Sequence, residues 1–252
     1  MLEHRVIPCL LLEKTRLVKT RKFKNPVYVG DPINAVKVFN DKEVDELVLL
    51  DIDVSRRGEP PDFEFIEKLA SEAFMPLSYG GGVRTVNQAR QLFHLGVEKV
   101  IIKTAAIIDH KFLQELSLEF GSSSLVVSVD VKRDYRRNVV PVDGRLKKLK
   151  THSLSELLNL YENCGVGEIL LQNVDCDGTM AGPDLEIVRQ IGKRSVPLTV
   201  AGGVSSLSDI KNLIDAGADA VGAGAFFTFY GPHRAVLLTY PNYQELSDLL
   251  KE

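Results

Sequence analysis

The strongest constraint on how this chain folds is that it repeats itself. Pro76-Leu-Ser-Tyr-Gly-Gly-Gly-Val83 returns as Pro197-Leu-Thr-Val-Ala-Gly-Gly-Val204, at an offset of 121 residues. Leu95-Gly-Val-Glu-Lys-Val100 returns as Ala216-Gly-Ala-Asp-Ala-Val221 at the same offset, and Glu46-Leu-Val-Leu-Leu-Asp-Ile-Asp53 as Glu168-Ile-Leu-Leu-Gln-Asn-Val-Asp175 at 122. Three segments agreeing within one residue make chance a poor explanation, and the offset is near half of the 252 residues. A long internal period implies one supersecondary assembly used twice.

That assembly alternates strand and helix. Apolar runs rich in Val, Ile and Leu predict strands at Arg5–Leu11, Glu46–Asp51, Pro76–Tyr79, Lys99–Ile102, Leu125–Asp130, Glu168–Gln172, Pro197–Ala201 and Ala220–Gly222. The runs are continuous rather than alternating, as in a parallel sheet covered by helices. Amphipathic stretches follow at Pro32–Asn40, Asp62–Ala73, Thr85–Leu95, His110–Phe120, Leu154–Cys164, Asp184–Ile191, Ser205–Ala216 and Tyr243–Leu250. Gly30-Asp31-Pro32 places a capping aspartate before a proline just inside its helix. Eight such pairs, with no linker between them, predict one α/β domain over residues 1–252. Its fold class is a (βα)8 TIM barrel with a two-fold half-barrel repeat, the halves being about 1–122 and 123–252. A doubly wound open sheet is the alternative.

Composition removes several functions. A net charge of −3 leaves no global basic field for nucleic acid. The N-terminal MLEHRVIPCLLLEKTR has no signal-type apolar run, and nothing approaches an uninterrupted apolar span, so no membrane segment is expected. Cys9, Cys164 and Cys176 are odd in number and lack metal-ligand spacing. A reduced, cytoplasmic chain without disulfides, metal or cofactor fits them.

In a barrel of this class chemistry belongs to the C-terminal ends of the strands. There the repeat doubles a glycine turn: Gly81 and Gly82 after the third strand, Gly202 and Gly203 after the seventh, with helix starts at Thr85 and Ser205. One strand later come Lys103-Thr104 and Gly224-Ala225. Glycine lets the backbone close on a ligand, and a helix start offers free N–H groups, so two facing phosphate sites are expected rather than two empty turns. Asp177 and Gly178 form a further turn that meets ligand or loop. Basic runs lie in the first loop, including Lys19, and after the fifth strand at Lys132–Arg137; beside two phosphate sites they suggest a mobile lid. Asp130 is the best candidate for general acid–base work, with Lys19 of the first basic loop as a second catalytic candidate and Asp51, Lys103 and Gln172 also at the mouth. At the opposite end Arg5, Glu46, Lys99 and Glu168 open strands 1, 2, 4 and 6. A salt-bridge ring closing the barrel floor is the simplest reading of those four.

Taken together, Arg5-Val-Ile-Pro-Cys-Leu10, Gly30-Asp31-Pro32, Asp45-Glu-Leu47, Gly80-Gly-Gly82, Thr104-Ala-Ala106, Val129-Asp130-Val-Lys-Arg133 and Asp177-Gly-Thr179 resemble the cyclase subunit of imidazole glycerol phosphate synthase along essentially the whole chain. The resemblance implies a bisphosphate substrate and a glutaminase subunit docked on the barrel floor. It also implies that ammonia enters through the Arg5, Glu46, Lys99 and Glu168 ring. It implies two opposed aspartates for proton transfer, of which Asp130 is one. The other position is Leu11, which cannot carry a proton; Glu13 lies too far out to replace it. Lys103 stands where the family has asparagine, and Ala201 where it has serine. Pro8-Cys-Leu-Leu-Leu12 and Phe23-Lys-Asn-Pro26 resemble a divergent branch associated with bacterial surface polysaccharides, working with a glutaminase and a sugar amidotransferase. Three readings follow: an ammonia-supplying barrel subunit for amidination of a sugar; an authentic histidine-pathway cyclase; and a non-catalytic scaffold.

Overall fold

The computed structural model describes residues 4–250. Its eight parallel barrel strands are β1 (Arg5–Glu13), β2 (Leu47–Asp51), β3 (Leu77–Gly80), β4 (Lys99–Ile102), β5 (Leu125–Arg133), β6 (Glu168–Asn173), β7 (Leu198–Ala201) and β8 (Ala220–Ala223). Each pairs with the next in order, and β8 returns to β1 from Ala220 opposite Arg5 to Ala223 opposite Pro8, closing the cylinder. The helices around it are α1 (Pro32–Asp41), α2 (Phe63–Glu72), α3 (Val86–His94), α4 (His110–Phe120), α5 (Leu154–Asn163), α6 (Leu185–Ile191), α7 (Leu207–Asp215) and α8 (Tyr243–Leu250). The expected (βα)8 barrel is present, and the open sheet is excluded by the β8–β1 ladder.

The continuous apolar runs follow from burial on both faces. On β1, Val6, Leu10 and Leu12 join the cluster beneath the helices, while Ile7 and Cys9 join Val48, Ile101, Val126, Leu170, Ala201 and Ala220 in the lumen. Each fully buried Val, Leu or Ile contributes roughly 1.5–3 kcal/mol relative to exposure. Capping boxes start three helices: Thr85 with Gln88, Ser153 with Glu156 and Ser206 with Asp209. The cap of α7 is therefore Ser206 and not Ser205, whose hydroxyl and N–H also go to Asp209 Oδ2, at 2.7 and 2.8 Å.

Strands β1 and β5 run further than their apolar patterns indicate, because each continues into an antiparallel ribbon. β1 pairs with Arg16–Arg21, which pairs in turn with Lys24–Gly30; β5 pairs with Val139–Val142. The first basic loop is thus a paired β-ribbon, folded over the mouth as one piece rather than as irregular chain. No helix among the described residues is long and apolar enough to cross a membrane.

Candidate functional site

The two glycine turns occupy equivalent places and need glycine for the same reason. A Cβ on Gly81 would lie 2.7 Å from the Asp51 carbonyl oxygen, and one on Gly202 2.8 Å from that of Asn173. Both have positive φ, +139° and +113°. Each carbonyl belongs to a residue whose side chain folds back on its own loop. Asp51 Oδ1 accepts the Asp53 and Val54 N–H groups at 3.0 Å, and Asn173 Oδ1 accepts that of Asp175 at 3.0 Å. Burial raises the Asp51 carboxyl above its usual range. The following turns match as well. Lys103 precedes the short helix Thr104–Ile108 and Gly224 precedes Ala225–Thr228.

Two cavities open at this end. The first, about 160 Å³, is lined by Gly81, Gly82, Lys103, Thr104, Asp51, Arg56 and Arg84. The second, about 40 Å³, is lined by Lys19, Gly178, Gly202, Gly203, Gly224 and Ala225. Leu11, Thr20, Phe23, Gln172 and Asp177 line both. The structure therefore gathers the proposed phosphate residues into two groups, one per half of the rim, with the first ribbon between them. The Gly82 N–H already donates to Ser55 Oγ at 3.1 Å, so an anion there would displace a hydroxyl.

Asp130 is 1% exposed on the inner face of β5. Lys103 Nζ donates to its Oδ2, and Oδ1 has no partner among the described residues. Burial pushes this carboxyl above its usual range, and Lys103 opposes the rise. Lys103 also lies over the Phe23 ring, 5.8 Å from its centroid. Gln172 Nε2 donates to Ser128 Oγ at 3.0 Å on the neighbouring strands.

Lys19 is 6% exposed and donates to the Cys9 carbonyl at 2.5 Å. Its Nζ lies 2.5 Å from where a Cβ on Gly224 would be, so the second rim also holds an ammonium at its short helix. Burial lowers the Lys19 pKa to about 8, and burial raises the nearby Cys9 thiol to about 12. Asp177 holds the ribbon in place. Its Oδ2 accepts the Thr20 hydroxyl at 2.9 Å and the Phe23 N–H at 3.2 Å, and its carbonyl accepts the Lys22 N–H at 2.9 Å. Burial raises the Asp177 carboxyl despite those donors. A Cβ on Gly178 would overlap the Thr20 carbonyl, at 2.0 Å. Asp177 and Gly178 thus meet the loop in this structure.

At the barrel floor the four charged residues close a ring. Arg5 reaches Glu46 at 2.5 Å and Glu168 at 3.1 Å; Lys99 reaches Glu46 at 2.9 Å and Glu168 at 3.0 Å. The repeat shows again beneath them: Ser78 donates to Glu46 at 2.7 Å, and Thr199 to Glu168 at 2.5 Å. Burial alone would raise the Glu168 carboxyl, but Arg5 and Lys99 outweigh it and hold it below the usual range. Between ring and mouth the lumen is mainly apolar, with Ser128 on its wall.

A further concavity, about 730 Å³, lies away from the mouth between α5 and α6. Its Arg133 is committed to Asp184 at 2.8 Å and Glu186 at 2.9 Å, and its Arg194 to Glu162 at 2.7 Å. Much of the second basic run is therefore tied down, with Lys132 Nζ on the Leu146 carbonyl at 2.5 Å. Among the described residues no cluster of three or more His, Cys, Asp or Glu side chains is arranged to hold a metal ion. Sequence reasoning missed Phe23, Thr20, Ser55, Arg56 and Arg84 as mouth residues; nothing in their spacing marks them.

A closed barrel with paired glycine turns at its rim and a four-charge ring at its floor defines the class of protein. Residues 5–232 match the family described as histidine biosynthesis protein, and the chain belongs to that family. It is similar to a Pseudomonas aeruginosa protein provisionally named imidazole glycerol phosphate synthase subunit hisF2. The two are 46% identical over 250 residues, 98% of this chain and 99% of the relative. A Leptospira interrogans protein with a provisional name of the same kind is 45% identical over 249 residues, 97% and 98% of the two chains. The imidazole glycerol phosphate synthase subunit of Thermobifida fusca is 36% identical over 234 residues, 89% and 90% of the two.

Proposed function

We propose that this chain is the barrel subunit of a glutamine amidotransferase assembly that receives ammonia from a glutaminase docked on its floor and binds a phosphorylated, bis-anionic ligand at its rim. In this reading the paired rim features are the trace of two joined half-barrels, and each glycine turn with its neighbouring ammonium takes one anionic group. The acceptor, assigned on the resemblance noted above, is a sugar undergoing amidination for a surface polysaccharide, with a sugar amidotransferase as third component. The single observation that carries the reading is the contrast between the two ends. The floor ring is complete, while at the mouth Leu11 stands where an acid is needed and Asp130 is occupied by Lys103. The ring is shut in the free chain, so passage requires one of its ion pairs to open on docking. The apolar lumen above it favours neutral ammonia over ammonium.

A second reading, a cyclase of histidine biosynthesis, is favoured by the Thermobifida relative's name and by the retained Asp130. Assay of the purified chain with ammonium salts and the ribulosyl aminoimidazole carboxamide ribotide separates the two. We expect turnover lower than that of a two-aspartate cyclase by about 10²–10⁴, the usual contribution of one acid–base group. Turnover at the level of a two-aspartate cyclase would establish the second reading instead.

A further inference from the structure

The first rim cavity differs from the second at its floor. The position equivalent to Lys103 is Gly224, which has no side chain, so Lys103 adds a cation that the repeat does not require. Its side chain is about a quarter exposed and lines the cavity with Gly81, Gly82 and Thr104. Its partner Asp130 is fully buried, does not line the cavity, and has one carboxylate oxygen unpartnered among the described residues. The charged groups facing Asp130 are Lys103, the first residue after β4, and Asp177 from the loop after β6. Arg56 and Arg84 belong to the cavity above. Asp130 thus has one compensating cation, and that cation is the only one of the pair a ligand can reach.

A carboxylate entering the cavity offers Lys103 the same two-oxygen acceptor that Asp130 offers, whereas a hydroxyl does not match a charge-assisted bond. Once Lys103 leaves, Asp130 is a buried carboxylate with an acidic neighbour and no cation, an arrangement relieved by protonation. We propose that Lys103 is an exchangeable carboxylate seat that determines specificity. A ligand with a phosphate at the Gly81–Gly82 turn and a carboxylate within reach of the floor takes the ammonium from Asp130, and Asp130 takes up one proton from solvent. No covalent bond of the ligand changes. The inference rests on the function proposed above only for the phosphate at the glycine turn.

Calorimetric titration of the full chain at pH 7, in two buffers of different ionisation enthalpy, tests it with 3-phosphoglycerate and glycerol 3-phosphate as probes. These differ in having a carboxylate or a hydroxymethyl group. The carboxylate probe should bind roughly ten-fold more tightly or better. It should also carry about one proton more into the complex than glycerol 3-phosphate does. The double variant Lys103→Met/Asp130→Asn, which leaves no buried charge unpaired, should bind both probes alike with no excess proton. Asp130→Asn alone should keep the preference and lose the proton. Equal affinities in the unaltered chain, or preference without proton uptake, would overturn the exchange while leaving the phosphate site standing. Failure of both probes to bind would overturn both.

Discussion

Leu11 and Asp130 occupy the same register position on the two ribbon-bearing strands. Leu11 lies opposite Leu50, and Asp130 lies opposite Gln172, the residue that corresponds to Leu50 in the repeat. The ladders on the other side agree, with Val6 opposite Val221 and Leu125 opposite Val100. One arm of the mouth therefore ends in an isobutyl group and the other in a buried acid. Two acids at these positions could divide proton donation and acceptance between them. Here the single acid is compensated laterally by Lys103, so its charge is spent on holding a neighbour.

That pairing makes Lys103→Met costly. Removing the cation from a fully buried carboxylate should destabilise the fold by about 3 kcal/mol at pH 7. A carboxylate whose folded pKa is raised weakens the fold as pH rises, so the penalty should shrink as pH falls towards the unfolded value of about 3.9. Urea unfolding at pH 7 and pH 4.5 measures both. Adding Asp130→Asn should recover most of the loss at pH 7, and an unrecovered double variant would mean that Lys103 acts through packing.

The glycine turns give a prediction with an internal control. Gly58 has φ of +78° and nothing within 4 Å of an added Cβ, so Gly58→Ala should cost only about 1 kcal/mol of backbone strain. Gly81→Ala and Gly202→Ala combine φ values further outside the left-handed region, +139° and +113°, with a collision against the Asp51 or Asn173 carbonyl, and each should cost about 3 kcal/mol. Chemical denaturation ranks the three. Equal costs would mean that the turns have room to spare.

How much of this was legible in the sequence depended on whether the information was local. The β4 bounds Lys99–Ile102 and the α4 bounds His110–Phe120 match the apolar pattern residue for residue, because hydrophobic period and capping set them. The floor ring was legible because Arg5, Glu46, Lys99 and Glu168 each interrupt the start of an apolar run. The ribbon strand Arg16–Arg21 was not: its charged residues read as a basic lid, and only its pairing with β1 on one side and Lys24–Gly30 on the other makes it a strand. The Lys103–Asp130 contact joins the residue just after β4 to one on β5, and no spacing rule relates them. Asp177 was read as meeting ligand or loop, and the Thr20 and Phe23 contacts that put it on the loop side are tertiary.

The floor ring should be visible in acid. Glu168 has a depressed folded pKa, so its contribution is present above the unfolded value of about 4.3 and is lost as pH falls through the folded value. Glu168→Gln should remove that part of the acid sensitivity and lie closer to the unaltered chain at pH 3 than at pH 7. Lys99→Met leaves both glutamates on Arg5 alone, and should cost about 2 kcal/mol at pH 7, less than full loss of a buried pair. Unfolding midpoints across pH 3–7 check both, and an identical pH profile for Glu168→Gln and the unaltered chain would remove the ring from acid stability.

Lys19 provides a direct probe of the second rim cavity. Its pKa of about 8 arises because burial disfavours the ammonium, and the Asp177 carboxylate only partly offsets this. A base with a lowered folded pKa penalises folding fully below that value. The penalty lifts as pH rises from about 8 towards the unfolded value of about 10.4. Lys19→Met should therefore flatten the rise in stability across that window, as read by unfolding midpoints from pH 7 to pH 10. In the intact chain the Lys19 side-chain carbon resonances should titrate near 8. An oxyanion beside Gly224 would stabilise the ammonium and move the midpoint upward, so the titration is repeated in saturating inorganic phosphate. A Lys19 midpoint that stays near 8 in phosphate would mean that the Gly202–Gly203 and Gly224 turns hold no anion next to this lysine.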